Sequence, residues 1–434
     1  MKCMVQRAVA TGVALAMAFA AAGCGDDDPP AAPAASWFAG DFHVHSSVGS
    51  NDTRYPDGSL QSWPETIRDV ARERGLAFVV ITDHSNSTGS DATTQVEDPA
   101  LWNQAPEFPL WDEAAALSDE GLLVINGNEI SPVAQLDEDL CPDCPSLGTV
   151  RPEPRGHVGC IPEDLDGFVT DGPFLDRPPG EVSGGTSVVD CQNRGGFAIV
   201  NHPFPRATPW LEYDWTDFGY DALEVYNGSI GWDIFDRNAY DAYLCDRLLG
   251  RDVVAVGGSD NHRAPVPYTD PISVPLGAPL GSPVTSVLAA SLEWEAIMQA
   301  LRAGRIVMHE LGTFVEFEAT AGTQRVGGIG DRVAAEGVDG IVLRGRSPRA
   351  QAVQLFHVAP GACNDRRTPG RDIAPTVAVT RVHTATVCAA GACDFEERVP
   401  VSAAAGLWFA TVGDFDTRGV GVRDVAVTNV LTME

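Results

Sequence analysis

Two histidines one residue apart, His43 and His45, end the short apolar run Asp41-Phe42-His43-Val44-His45. On an extended strand alternate side chains share a face, so both imidazoles point the same way and can reach one cation. Such a pair alone occurs on many surfaces. Four further segments give it meaning: Thr82-Asp83-His84, Gly127-Asn128-Glu129, Asn201-His202-Pro203 and Gly258-Ser259-Asp260-Asn261-His262. Each follows a strand-like apolar run and supplies an imidazole or a carboxylate at its end. With His157, the set His43, His45, His84, Glu129, His157, His202, Asp260 and His262 exceeds what one tetrahedral ion takes and suits two or three divalent cations. Zn, Mn and Fe all accept imidazole and carboxylate together. Glu129, Asp260 and Asp83 gathered at one rim would repel one another unless cations lay between them.

The elements that must position these groups alternate. Ala77-Phe78-Val79-Val80-Ile81, Leu122 to Ile125, Phe197 to Val200 and Val253 to Val256 are continuous apolar runs, as in parallel strands buried on both faces. Between them lie helical stretches. Ser62-Trp63-Pro64-Glu65 reads as a capping box with proline in the first turn, and Gly75 ends that helix. Residues 233–249 and 292–303 read as further helices, the latter ended by Gly304. Polar motifs just past strand ends point to an α/β barrel over 38–310 with its site at the C-terminal rim. Residues 132–155, 162–185 and 263–284 read as long rim loops. From 311 to 434, short alternating segments separated by glycine and charge predict a small antiparallel β-sandwich. His309, His357 and His383 have no ligand partners in sequence and read as ordinary core or surface histidines.

Composition narrows the partners. The chain has 434 residues and a formal net charge of -31. That charge excludes a nucleic-acid partner, which needs a basic face. Lys2 is the only lysine, which excludes a Schiff-base lysine, a phosphate-loop lysine and a carbamylated lysine bridging metals in the mature protein. Residues 1–23 read as a bacterial lipoprotein signal, with Cys24 as the lipidated residue after Ala21-Ala22-Gly23. Residues 24–37 read as a disordered tether. The expected location is the cell envelope, on the outer membrane or periplasmic face, with the membrane contacted through the lipid alone. Of ten cysteines, removing Cys3 and Cys24 leaves an even number, as for disulfides in an exported protein. Cys141 and Cys144 read as disulfide cysteines in a loop, and Cys388 with Cys393 could close a hairpin.

The series HVH, ITDH, GNE, GH, NHP and GSDNH resembles the polymerase-and-histidinol-phosphatase (PHP) superfamily from about Asp41 to Arg305. Leu223-Glu224-Val225-Tyr226-Asn227-Gly228, Ala300 to Arg305 and the closing Val427-Thr428-Asn429 are similar to its CehA/McbA-type branch. The resemblance implies a distorted seven-stranded (β/α)7 barrel and a metal-dependent phosphoesterase. It places a first metal on His43, His45, Glu129 and Asp260. A second sits on Glu129, His157 and His202, and a third on His84 and His262. Asp57 in Pro56-Asp57-Gly58 best matches a further third-site ligand, with Asn51 and Asp52 as alternatives. Asp83 reads as a catalytic-site carboxylate, a direct ligand or one that orients a histidine ligand. Arg263 follows a metal motif and could clamp phosphate through its N–H fork, as could Arg206. The expected reaction is hydrolysis of a small, preferably phosphorylated ester by a hydroxide held between two cations. Carbamates or carboxylic esters on the same cations are the first alternative; a non-catalytic, metal-stabilised surface module is the second.

Overall fold

The computed structural model describes residues 35–50, 53, 61–85, 90–91, 96–97, 106–131, 133–135, 152–154, 156–174, 184–204, 210, 219–228, 231–265, 278–367, 374–416 and 422–434. Asn51, Asp52, Asp57, Arg206, Cys24, Cys141, Cys144 and the signal segment lie outside them. In chain order the main elements are β1 (Ser36–Val44), α1 (Pro64–Glu73), β2 (Phe78–Ile81), α2 (Trp111–Leu117), β3 (Leu123–Asn126), β4 (Asn128–Ile130), β5 (His157–Pro162), α3 (Gly184–Asn193), β6 (Gly196–Asn201), β7 (Ala222–Asn227), α4 (Ile234–Leu248), β8 (Val254–Gly258), β9 (Val284–Ala289), α5 (Trp294–Arg302) and β10 (Ile306–His309).

β1 pairs in parallel with β2, and β2 with β3, while β9 runs antiparallel on the other side of β1. Every residue of β2 is buried, as its unbroken apolar run requires. Ile67 and Ala71 of α1 and Ala114 of α2 share a core with Val79, Ile81 and Val124. A second sheet has the order β8-β7-β6-β5-β4. Neither sheet closes on itself among the described residues. Single bridges join them at the ligand-bearing end, Val44 with Asn261 and His84 with Glu129.

The architecture is therefore mixed α/β, with five helices and many strands among the described residues, but it departs from a run of parallel βα units. β5 is antiparallel to both β4 and β6. The chain between Ile130 and His157 supplies no helical crossover among its described residues, and a parallel neighbour needs one. The capping box read at Ser62 does not form. The cap position falls on Trp63, without a side-chain bond. Ser62 Oγ instead donates to the His262 carbonyl at 3.0 Å and accepts from Ala264 N at 3.0 Å. Ser36 and Trp37 belong to β1 and pair with Ala289 and Leu288, so the strand begins inside the stretch read as tether.

The C-terminal segment forms two antiparallel layers. β11 (Phe314–Ala321), β12 (Gln324–Gly328), β13 (Gly340–Ser347) and β16 (Cys393–Pro400) make one; β14 (Gln351–Val358), β15 (Thr380–Val387), β17 (Gly406–Val412), β18 (Ala426–Thr428) and β19 (Leu431–Met433) contribute to the other. Val315, Phe317, Leu343, Val353, Leu355 and Val412 fill the space between. The second layer continues the N-terminal sheet, because β18 pairs with β10. Disulfides join Cys160 to Cys191, Cys245 to Cys363 and, across a hairpin, Cys388 to Cys393.

Candidate metal centre

Glu129, in the middle of β4, is the hub. Its Oε1 lies 2.9 Å from His157 Nδ1, 3.1 Å from His43 Nε2 and 3.2 Å from His202 Nε2. Its Oε2 lies 3.0 Å from His84 Nδ1 and 3.6 Å from His45 Nε2. Asp260 Oδ1 stands 3.2 Å from His45 Nε2 and 3.4 Å from His43 Nε2. The His262 ring stacks on His45 with centroids 4.0 Å apart. His43 and His45 come from β1, His84 follows β2, His157 opens β5, His202 follows β6, and Asp260 and His262 follow β8. Strands of both sheets thus end on one pocket.

Two of these residues hold uncommon backbone. His202 has φ 25° and Asp260 φ 52°, a left-handed region that non-glycine residues enter at a cost of roughly 1–3 kcal/mol and that clusters at functional sites. Gly258 is required by close approach. A Cβ there would stand 2.5 Å from His43 Cβ and 2.7 Å from Glu224 Oε1.

The electrostatics show what the pocket lacks as protein alone. Burial would raise the Glu129 carboxyl, but His157, His43 and His84 hold it well below the carboxylate range. Burial opposes ionisation of Asp260 too, and His43, His45 and His262 outweigh it. His45 is pushed down to about 3 by burial and by its neighbours His262 and His84. His43 moves the other way: burial lowers it, and Glu129, Glu224 and Asp260 more than compensate. His43 Nε2, Glu129 Oε2 and His157 Nδ1 are buried without hydrogen-bond geometry to any partner, despite neighbours 2.9–3.1 Å away. Buried polar atoms left this way cost about 1–3 kcal/mol each. Atoms aimed at shared points rather than at each other fit intervening cations. Four overlapping triplets could hold one: His43-His45-Glu129, His84-Glu129-His157, His43-His202-Glu224 and His45-His84-His262, with ligand atoms within 4.8 Å of one another.

Asp83 is buried beside the pocket. Its oxygens accept from Ser46 N and Ser46 Oγ at 2.6 Å and from Ser50 Oγ at 3.0 Å. Ser50 Oγ also meets His45 Nδ1 at 3.1 Å, so Asp83 acts on His45 through Ser50. Arg263 is buried and its backbone N–H donates to Asn261 Oδ1 at 3.1 Å. His309 is a core residue, 2.7 Å from Ser286 Oγ, and His357 meets the Ala405 carbonyl in the C-terminal layers. Glu224 was not read as a site residue. Its signals in the sequence are an acidic residue inside an apolar strand and its place in Leu223-Glu224-Val225-Tyr226-Asn227-Gly228, a segment already singled out.

No protein-family model matches the chain, and no curated protein matches it. Among solved structures, the chain is similar to a two-domain protein from Bacteroides vulgatus containing a predicted PHP-like metal-dependent phosphoesterase. Identity is 16%, the alignment covers 92% of this chain and 96% of that one, and the TM-score is 0.43. A likeness at that level carries no chemistry; the residues of the pocket must.

Proposed function

We propose that the chain is a metal-dependent hydrolase, a phosphoesterase of PHP type close to the CehA/McbA branch, working with two or three divalent cations. The observation that carries this is the convergence of six histidine side chains on Glu129 and Asp260, with buried ligand atoms that lack hydrogen-bond geometry to any partner. His43, His45, Glu129 and Asp260 would hold one ion, Glu129 with His157 and His202 a second, and His84 with His262 a third. When bound, such cations supply Lewis acidity toward water and toward the substrate's oxygens. The two open sheets and their bridges at the ligand end are then the halves of a distorted barrel. Cys24 would tether the protein to the cell envelope by its lipid.

The chain's own contribution is position and exclusion. Glu129 has a side chain 1% exposed, whereas that of Asp260 is 24% exposed, so substrate approaches from the Asp260 side. A cavity of about 230 Å³ opens there, bordered by His202, Phe204, Val225, Phe235 and Asp260. Its walls are mixed, with Glu224, Asp233 and Asp236 beside the apolar side chains; the apolar part suits the departing group of an ester whose reacting end meets the ligands at His202 and Asp260. A phosphate's charge is offset only by cations in so acidic a setting. The same apolar wall favours a second reading, hydrolysis of carbamates or carboxylic esters. Turnover of aryl phosphates against aryl carbamates at equal metal loading separates the two.

The test of the central reading is joint. His43→Ala and Asp260→Ala are each expected to lower the metal-to-chain ratio and to reduce turnover at least 100-fold, of the order seen when a catalytic metal's ligand geometry is lost. Full turnover in either variant ends the proposal.

A further inference from the structure

Glu224 reaches the pocket from β7 and is 2% exposed. Its Oε1 lies 3.0 Å from His43 Nδ1, the ring nitrogen that faces away from Glu129 and Asp260. Its Oε2 accepts from the backbone N–H of His202 at 3.0 Å and from Asn227 Nδ2 at 2.9 Å. Three donors therefore converge on one carboxylate. Two of them belong to candidate ligands that come from different sheets, and one of those, His202, has φ 25°. Gly258 leaves the room for this contact, since any Cβ there would strike both Glu224 and His43.

We infer that Glu224 is a positioning residue: it fixes His43 with the proton on Nδ1 and the lone pair of Nε2 turned into the pocket, and it pins the strained His202 backbone. The inference deepens the metal-dependent reading and rests on it. An imidazole that donates its far N–H to a carboxylate is held in one tautomer and becomes a stronger donor. Only a carboxylate accepts from all three groups. In Glu224→Gln the amide either turns its NH2 toward His43, favouring the proton on the wrong nitrogen, or turns it toward the His202 N–H and leaves that donor unmatched. A merely structural buried acid would show a loss of stability and nothing at His43.

The experiment uses the whole chain, stripped with a chelator and titrated with zinc against a competing chelator. The expected result for Glu224→Gln is an affinity 10–100-fold weaker for one class of zinc ion, with the remaining ions unaffected. In the zinc-loaded protein the hydrogen-bonded Nδ1 proton of His43, visible by 15N-edited NMR in the wild type, should be lost in the variant. Asn227→Ala, which removes one of the three donors and leaves the carboxylate, should weaken the same ion by a smaller factor and reports should Glu224→Gln not fold. Unchanged zinc affinity and an unchanged Nδ1 signal in Glu224→Gln, or unchanged zinc affinity in Asn227→Ala where the first does not fold, would overturn the inference while leaving the metal centre standing. A wild-type chain that takes up no zinc overturns both.

Discussion

His309 illustrates how a histidine in this chain behaves when it has no ligand work. It is buried in β10, with Nε2 2.7 Å from Ser286 Oγ and Nδ1 3.0 Å from the Glu310 carbonyl. Burial pushes it from 6.5 down to about 4, against the smaller pull of the Glu310 and Thr313 backbone. Between those values the unfolded chain binds a proton that the folded chain refuses. Its contribution to stability is therefore complete above pH 6.5 and is lost as pH falls toward 4. The shift corresponds to roughly 3 kcal/mol. His309→Gln cannot titrate, so the stability of the wild type relative to this variant should fall by about that amount between pH 7 and pH 4. Urea unfolding at both pH values measures it; a constant difference would show that the imidazole is not kept neutral. The pocket histidines differ in kind. His43 faces carboxylates on both ring nitrogens, a surrounding that His309 lacks.

At the scale of elements, the pocket is assembled by strand ends and by what the following residues permit. β8 delivers Asp260 only because Gly258 lets the strand lie against His43. Gly258→Ala is expected to displace His43 or Glu224, since the new Cβ meets a backbone-anchored Cβ at 2.5 Å. Overpacking of this sort costs about 1–3 kcal/mol. The expected outcome is a folded protein by circular dichroism with reduced zinc content; full zinc content would mean that β8 can shift without disturbing the ligands. Most of the ligands were legible because they lie just past an apolar run; His157, which opens β5, was not marked in that way. Direction was not legible. His157-Val158-Gly159-Cys160-Ile161 is as apolar as a parallel strand, and only its tertiary pairing with β4 and β6 makes it antiparallel. Ser62 carried a valid local capping signature, overridden by a bond to residues 200 positions away. The role of Glu224, though not its segment, was hidden for the same reason, since its partner His43 lies 181 positions earlier.

At the scale of the molecule, residues 35–434 form one compact unit, and the C-terminal layers reach back to the strands that carry the ligands. β8 lies at the edge of its sheet, where an unpaired backbone would be exposed. Asn429 covers it. The side chain accepts from Ala255 N at 2.9 Å and donates to the Ala255 carbonyl at 2.7 Å, across 174 positions. Tyr240 Oη donates to the neighbouring Thr428 carbonyl at 2.7 Å, and Cys245 of α4 is bonded to Cys363. The segment Val427-Thr428-Asn429 thus braces β8 at Ala255, three residues before Gly258. Asn429→Ala leaves a buried N–H and a buried C=O without partners, which together cost roughly 2–6 kcal/mol. Its urea midpoint should fall accordingly with the slope unchanged, because the surface exposed on unfolding stays the same. Deletion of residues 311–434 removes the brace, the partner strand of β10 and the disulfide together. The shortened chain is expected to lose cooperative unfolding and zinc uptake at once. A truncated protein that still unfolds in one sharp transition and binds zinc as the full chain does would show that the N-terminal α/β part holds the edge of β8 without the C-terminal layers.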